Sequence, residues 1–256
     1  MMQSKQYLET VTPNDVHPVD HLRALLENVA PYPSGVVRIP APVGGTSFFP
    51  GGMGIWNSPR SADLPPLPIG KVMVLGHDYH SETGYQRTLE NEEENLKGPT
   101  WRHLLDLIEL AKIQRTDCFF TNFFMGLRAG KSSTGRFPGN HDQEYVQRCL
   151  DFLIQQLRVQ MPRLVLTLGK YVPALIAGLS DDLSPWKDAK SFKDIDQNDR
   201  CVLANVTFRQ IPQVKPMTFV ALVHPCYRAR NVGIRRYKEL RGEAAEIRML
   251  ADGMHQ

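Results

Sequence analysis

Four apolar runs in this chain of 256 residues each stop on side chains that can do chemistry. "KVMVLG" runs into "HDYH", which offers His77, Asp78 and His80. "TDCFF" leads to Asn122, "RLVLTLG" to Gly169 and Lys170, and "MTFVALV" to His224. A fixed carboxylate such as Asp78 can orient a water molecule or stabilise a developing cation, and a histidine can donate to a developing anion. An asparagine amide carries a donor face and an acceptor, which suits the reading of a polar edge. Two histidines around Asp78 also fit a metal-ligand cluster or a plain polar turn, so the surrounding elements must decide.

Those elements follow a rhythm. A buried strand is expected over 71–76, a helix over 100–113 and a second strand over 116–124. A polar loop, "MGLRAGKSSTGRFPGNHD", precedes a helix over 143–161 that ends at Pro162. Then come a strand over 163–169, a helix over 170–179, a polar insert over 180–199 and an edge strand over 201–211. A core strand over 217–225 and a closing helix over 233–253 complete the series. Strands alternating with helices predict an α/β fold, a three-layer α/β/α domain with a short, mainly parallel central sheet. Ligands then bind beyond the carboxyl ends of the strands, where the four polar endings gather.

Composition sets the bounds. With 42% hydrophobic and 22% charged residues the chain reads as an ordinary soluble protein, and a formal charge of +3 permits a nucleic-acid partner without demanding one. No apolar stretch has the length of a membrane span, and "MMQSKQYLETVTPND" lacks the apolar core of a signal peptide. Cys118, Cys149, Cys201 and Cys226 form no close pair, which points to free thiols in a reducing cytoplasm and away from zinc or iron–sulfur ligation. Residues 1–65 read as an extended arm with one helix over 18–29. Its Gly/Pro-rich remainder would be pinned to the domain by Phe48, Phe49, Ile55 and Trp56. Residues 66–256 would then be the catalytic domain, and the expected state is a monomer.

The order strand-G-x-D, strand-x-N, strand-L-G-K and strand-H-P, followed by a basic loop, resembles the uracil-DNA glycosylase superfamily. In that family the first motif reads like Gly-Gln-Asp-Pro-Tyr-His and the last like His-Pro-Ser. "GHDYH" looks like a version one residue shorter, and "HPCYRAR" puts Cys226 where the serine would stand. The resemblance implies that Asp78 positions the attacking water, Asn122 reads the flipped base, and His224 donates to the base oxygen that takes the leaving-group charge. It implies that Tyr79 matches the tyrosine that keeps thymine out. The family's stacking phenylalanine is missing after the first motif, and Tyr85 is the nearest aromatic to serve instead. Gly169 and Lys170 match a phosphate-gripping turn, and "PPLP" (65–68) a loop that presses on the backbone. The segment from Tyr227, with Arg228 and Arg230, matches the loop that enters the duplex, and Lys131 and Arg136 add charge after Asn122. The implied activity is hydrolysis of the bond joining uracil, or a related base, to deoxyribose in DNA, as in base excision repair, with no cofactor and no metal.

Three other readings remain. The same fold can bind DNA without cutting it, or excise a base other than uracil. "GNHD" (139–142) matches a box of metal-dependent phosphoesterases, but it precedes a helix instead of closing a strand, so Asn140 or Asp142 reads better as a helix cap.

Overall fold

The computed structural model describes residues 16–58 and 60–255. The stretch read for a signal peptide, 1–15, lies outside them. The core strands carry almost no polar side chains, and this dictates a sheet covered on both faces. β1 (Val72–Gly76), β2 (Cys118–Asn122) and β3 (Leu164–Leu168) are buried throughout. β4 (Val202–Val206) is only partly covered, and β5 (Met217–Leu222) is buried throughout. They form one sheet of five strands in the order β2-β1-β3-β5-β4, parallel except for β4, which runs antiparallel along the β5 edge.

Register fixes what each face meets. Phe120, Val74, Leu166 and Val220 lie in one row and share a face with Gly76 and Asn122. Trp101 packs on Phe120 from α3 (Pro99–Leu110), which starts on its proline. The closing helix (Gly242–His255) lies so near the same face that a Cβ on Gly253 would be 2.8 Å from Val220. On the other face Thr121 donates to Gln156 at 2.6 Å, a residue of α4 (Gln143–Gln160). Asp142 caps α4, accepting from the Tyr145 amide at 2.8 Å, and Met161 ends it in the left-handed region before Pro162. The "GNHD" box is therefore a helix start.

The N-terminal residues pack onto this domain. α1 (Pro18–Leu26) rests against α4, and Arg23 donates to the Pro50 and Gly52 carbonyls. Residues 49–55 run along the outer edge of β2: the Phe49 amide donates to Phe120 O at 2.8 Å and the Phe120 amide to Gly54 O at 2.7 Å. Phe49 and Ile55 are buried there, and Phe48 nearly so.

Two elements depart from expectation. The insert after the first motif contains α2 (Glu82–Glu90), started by Ser81, whose side chain accepts from the Gly84 amide at 3.2 Å. The closing helix begins only at Gly242, not at 233. Arg236–Tyr237 and Leu240–Arg241 instead form a two-stranded hairpin with Lys238 at positive φ. The cause lies in Arg235, which is drawn inward by the buried carboxylates of Asp196 and Glu246 and cannot remain on an exposed helical face.

Candidate active site

The carboxyl ends of four strands open into one cleft. Asp78 follows β1, Asn122 ends β2, Leu168 ends β3 and His224 follows β5, and all four line it. Phe48, Tyr79, Glu94 and Trp101 close its sides.

Asp78 is held by a fork. Arg128 donates from Nε to Oδ1 and from Nη2 to Oδ2, each at 3.0 Å, and His77 donates from Nδ1 to Oδ2 at 2.6 Å. Three of the carboxylate's lone pairs are thus occupied, and one on Oδ1 stays uncommitted. Burial pushes the Asp78 carboxyl up, but the hydrogen bonds and charges of His77 and Arg128 outweigh it, and the net shift is below the usual carboxylate range. Arg128 also donates to the carbonyls of Thr134, Gly135 and Arg136, so one buried guanidinium fixes both the carboxylate and the loop beside it.

His224 is tuned the opposite way. Burial lowers its ring to about 4, against the charge of Asp78, which raises it. Its Nδ1 accepts from the Cys226 amide at 3.3 Å, so the neutral ring carries its proton on Nε2. The loop around it is strapped at three points. Glu246 accepts from the Val223 amide at 2.7 Å, His103 donates to Pro225 O at 2.8 Å, and Arg228 pairs with Glu246 and Glu243. Gly169 turns at φ +89 directly under the ring, where a Cβ would stand 3.3 Å from that of His224.

Asn122 pairs in register with Gly76, and the missing side chain of that glycine makes room for its amide. The amide is almost wholly buried among the cleft walls, and its side chain has no hydrogen-bond partner among the described residues.

The model of the uracil DNA glycosylase superfamily matches residues 71–244, a span that includes all four strand ends. The chain belongs to the uracil DNA glycosylase superfamily. No curated protein matches it.

In this member of the superfamily two expected site residues point elsewhere. Tyr85 is buried behind the cleft, with its hydroxyl donated to the Ala41 carbonyl and shared with that of Gly51, so it cannot stack on a ligand. What it does is back Tyr79, the two rings meeting edge to face with their centroids 5.0 Å apart. Arg228 is buried in its ion pairs with Glu246 and Glu243 and is not free to enter a duplex. Of the basic residues that follow, Arg235 is fully buried and Lys238 pairs with Asp252, whereas Arg236 and Arg241 are exposed. Lys131, Arg136, Lys170, Arg230 and the ring of Tyr227 remain exposed.

Other cleft residues were invisible to motif reading. Phe48 comes from outside the matched region, yet its ring edge lies beside Gly76 and packs on Trp101 at 5.2 Å. Arg128 had no motif, although an arginine near a catalytic aspartate in space is a frequent partner. Glu94 hides in a run of glutamates whose other members face solvent, and it alone turns back into the cleft. His77 and His80, with Asp78 between them, do not converge as a ligand set: among the described residues no group of three or more His, Cys, Asp or Glu side chains is placed to hold a metal ion.

Proposed function

We propose that the protein is a DNA glycosylase that hydrolyses the bond between deoxyribose and uracil or a closely related base. The observation that carries this reading is the convergence of Asp78, Asn122 and His224 from three separate strand ends on one cleft. Breaking the bond leaves positive charge on the sugar and negative charge on the base. The ionised Asp78 stabilises the sugar cation and orients water through its free lone pair. The Nε2–H of neutral His224 donates to the base oxygen as the anion develops, and Asn122 offers both its amide donor and its carbonyl to the base edge. The ring of Phe48 gives the base a stacking surface in place of Tyr85. A base inside a duplex must be turned out to reach this cleft; exposed Tyr227, its ring 5.9 Å from that of His224, fills the gap together with exposed Arg230 from the same loop. Lys131, Lys170 and Arg136 supply phosphate contacts, and a monomer suffices for all of these steps.

A second reading, recognition without cleavage, draws on one observation: the bidentate Arg128 compensates much of the Asp78 charge. The two are separated by an abasic-site assay on uracil-containing oligonucleotides in EDTA, run beside Asp78→Asn and His224→Ala. Cleavage that both variants lose establishes the glycosylase. Salt-sensitive binding without cleavage establishes the reader.

A further inference from the structure

Outside the cleft the fold presents a pair of cations that none of the steps above uses. Arg236 and Arg241 are register partners in the hairpin that precedes the closing helix, and both are exposed. Residues directly opposite in an antiparallel pair leave the same face, with Cβ atoms about 4.5–5.5 Å apart, and like charges placed this way repel. Among the described residues neither guanidinium reaches a carboxylate. The aspartates around the hairpin serve its backbone and its other side chains instead. Asp196 pairs with Arg235 and accepts from the Arg236 amide at 2.8 Å, and Asp199 accepts from the Lys238 amide at 2.7 Å. Asp252 accepts from the Tyr237 hydroxyl at 3.1 Å and from Lys238 Nζ at 2.5 Å. A hairpin this short is not stable alone in water, so these braces and the buried Tyr237 ring hold it in place. The two arginines therefore stand on a fixed stem.

The stem is rooted at the edge of the sheet where the cleft opens. Arg235 Nη2 donates to Ala221 O at 2.7 Å, three residues before His224, and β4 begins beside this end of β5 because it runs antiparallel. A paired guanidinium fork matches the oxygens of a phosphate, and an anion between the two side chains removes their repulsion. We propose that Arg236 and Arg241 together grip one phosphate of the DNA backbone outside the cleft, on the β4 side of the sheet. The inference rests on the DNA-binding part of the reading above and adds an anchor remote from the reacting base.

The test is binding without cleavage: anisotropy of a labelled undamaged duplex over a KCl series, with wild type and the Arg236→Gln/Arg241→Gln double variant. The double variant binds roughly tenfold more weakly at ~0.1 M salt, and its slope of log K against log salt is shallower by about 0.9, the value for one phosphate. Lys71→Gln with Arg163→Gln removes the same charge just before β1 and β3, at the opposite edge of the sheet, and leaves the slope at its wild-type value. The urea midpoint of the hairpin variant equals that of wild type or exceeds it, since a repulsion is gone; a lower midpoint makes the pair a structural brace and overturns the inference. A slope shallower by about 1.8 assigns two separate phosphates and overturns the shared grip. Inorganic phosphate that, at constant ionic strength, weakens wild type to the level of the double variant marks a free-anion site and overturns it too. A slope no shallower than that of the Lys71/Arg163 variant overturns the inference and leaves the glycosylase reading standing. Wild-type protein that binds no duplex overturns both.

Discussion

A Cβ built on Gly76 stands 2.2 Å from Oδ1 of Asn122, its partner in the parallel register of β1 and β2. Contacts that short do not occur, so the asparagine must leave its position when the glycine is replaced. Gly76→Ala is therefore expected to cost about 1–3 kcal/mol in stability by overpacking and to lower the rate of base release far more than that loss of stability implies. Denaturant unfolding and single-turnover rates on the same preparation check this, and an unchanged rate would show that Asn122 does not read the base.

The ring of His224, held near a pKa of about 4, makes stability depend on pH. The unfolded chain protonates this histidine at about 6.5 and the folded one does not, so its contribution is complete above pH ~6.5 and is lost as pH falls toward 4. Between pH 7.5 and 5 the wild type should lose about 2 kcal/mol that His224→Asn does not lose, measured by urea unfolding of both at each pH. Equal losses would mean that the folded ring titrates normally.

Arg128 and Asp78 form a forked pair in which neither group is well solvated. Arg128→Met strands a buried carboxylate and should destabilise the protein by about 3–5 kcal/mol. Arg128→Lys keeps the charge but not the fork, and the Asp78 carboxyl then rises toward its ordinary value. Since the ionised form is the one proposed to act, the acid limb of the pH–rate profile moves to higher pH in that variant. A limb that stays in place dissociates Asp78 from the rate.

Glu246 ties the closing helix to the amide of Val223, one residue before His224, while also neutralising Arg228 and Arg235. Glu246→Ala leaves two buried guanidinium groups short of a partner, and a loss of about 3–5 kcal/mol is expected. Glu246→Gln keeps an acceptor for the Val223 amide. Its base-release rate, measured where it is fully folded, should fall less than that of Glu246→Ala. The opposite order would place the effect in charge and not in the position of the loop.

Much of this architecture was legible in the residues. The four core strands announced themselves as apolar runs, and their polar endings marked the edge where the cleft lies, because a parallel sheet puts those ends side by side. Asp142 as the start of a helix was legible too, since its carboxylate comes directly before the first turn. What escaped was anything decided by a partner distant in sequence. Arg228 and Arg230 look alike in "HPCYRAR", and only the approach of Glu243 and Glu246 buries the first and leaves the second free. The hairpin before the closing helix has the same origin, for "GIRRYKEL" has helical composition until Asp196 captures Arg235. Tyr85 was misjudged because a π-face near the motif says nothing about which side of the chain it occupies.

Strand β2 would be a free margin of the sheet if residues 49–55 did not bond along it. Bare margins of that kind invite a second molecule to add its own strand, and they are a common start of aggregation. The segment that carries Phe48 into the cleft is thus also the one that covers this margin. One stretch of backbone thereby forms a wall of the cleft and caps the sheet, so a change that frees it is expected to disturb the cleft and to raise the tendency to aggregate together.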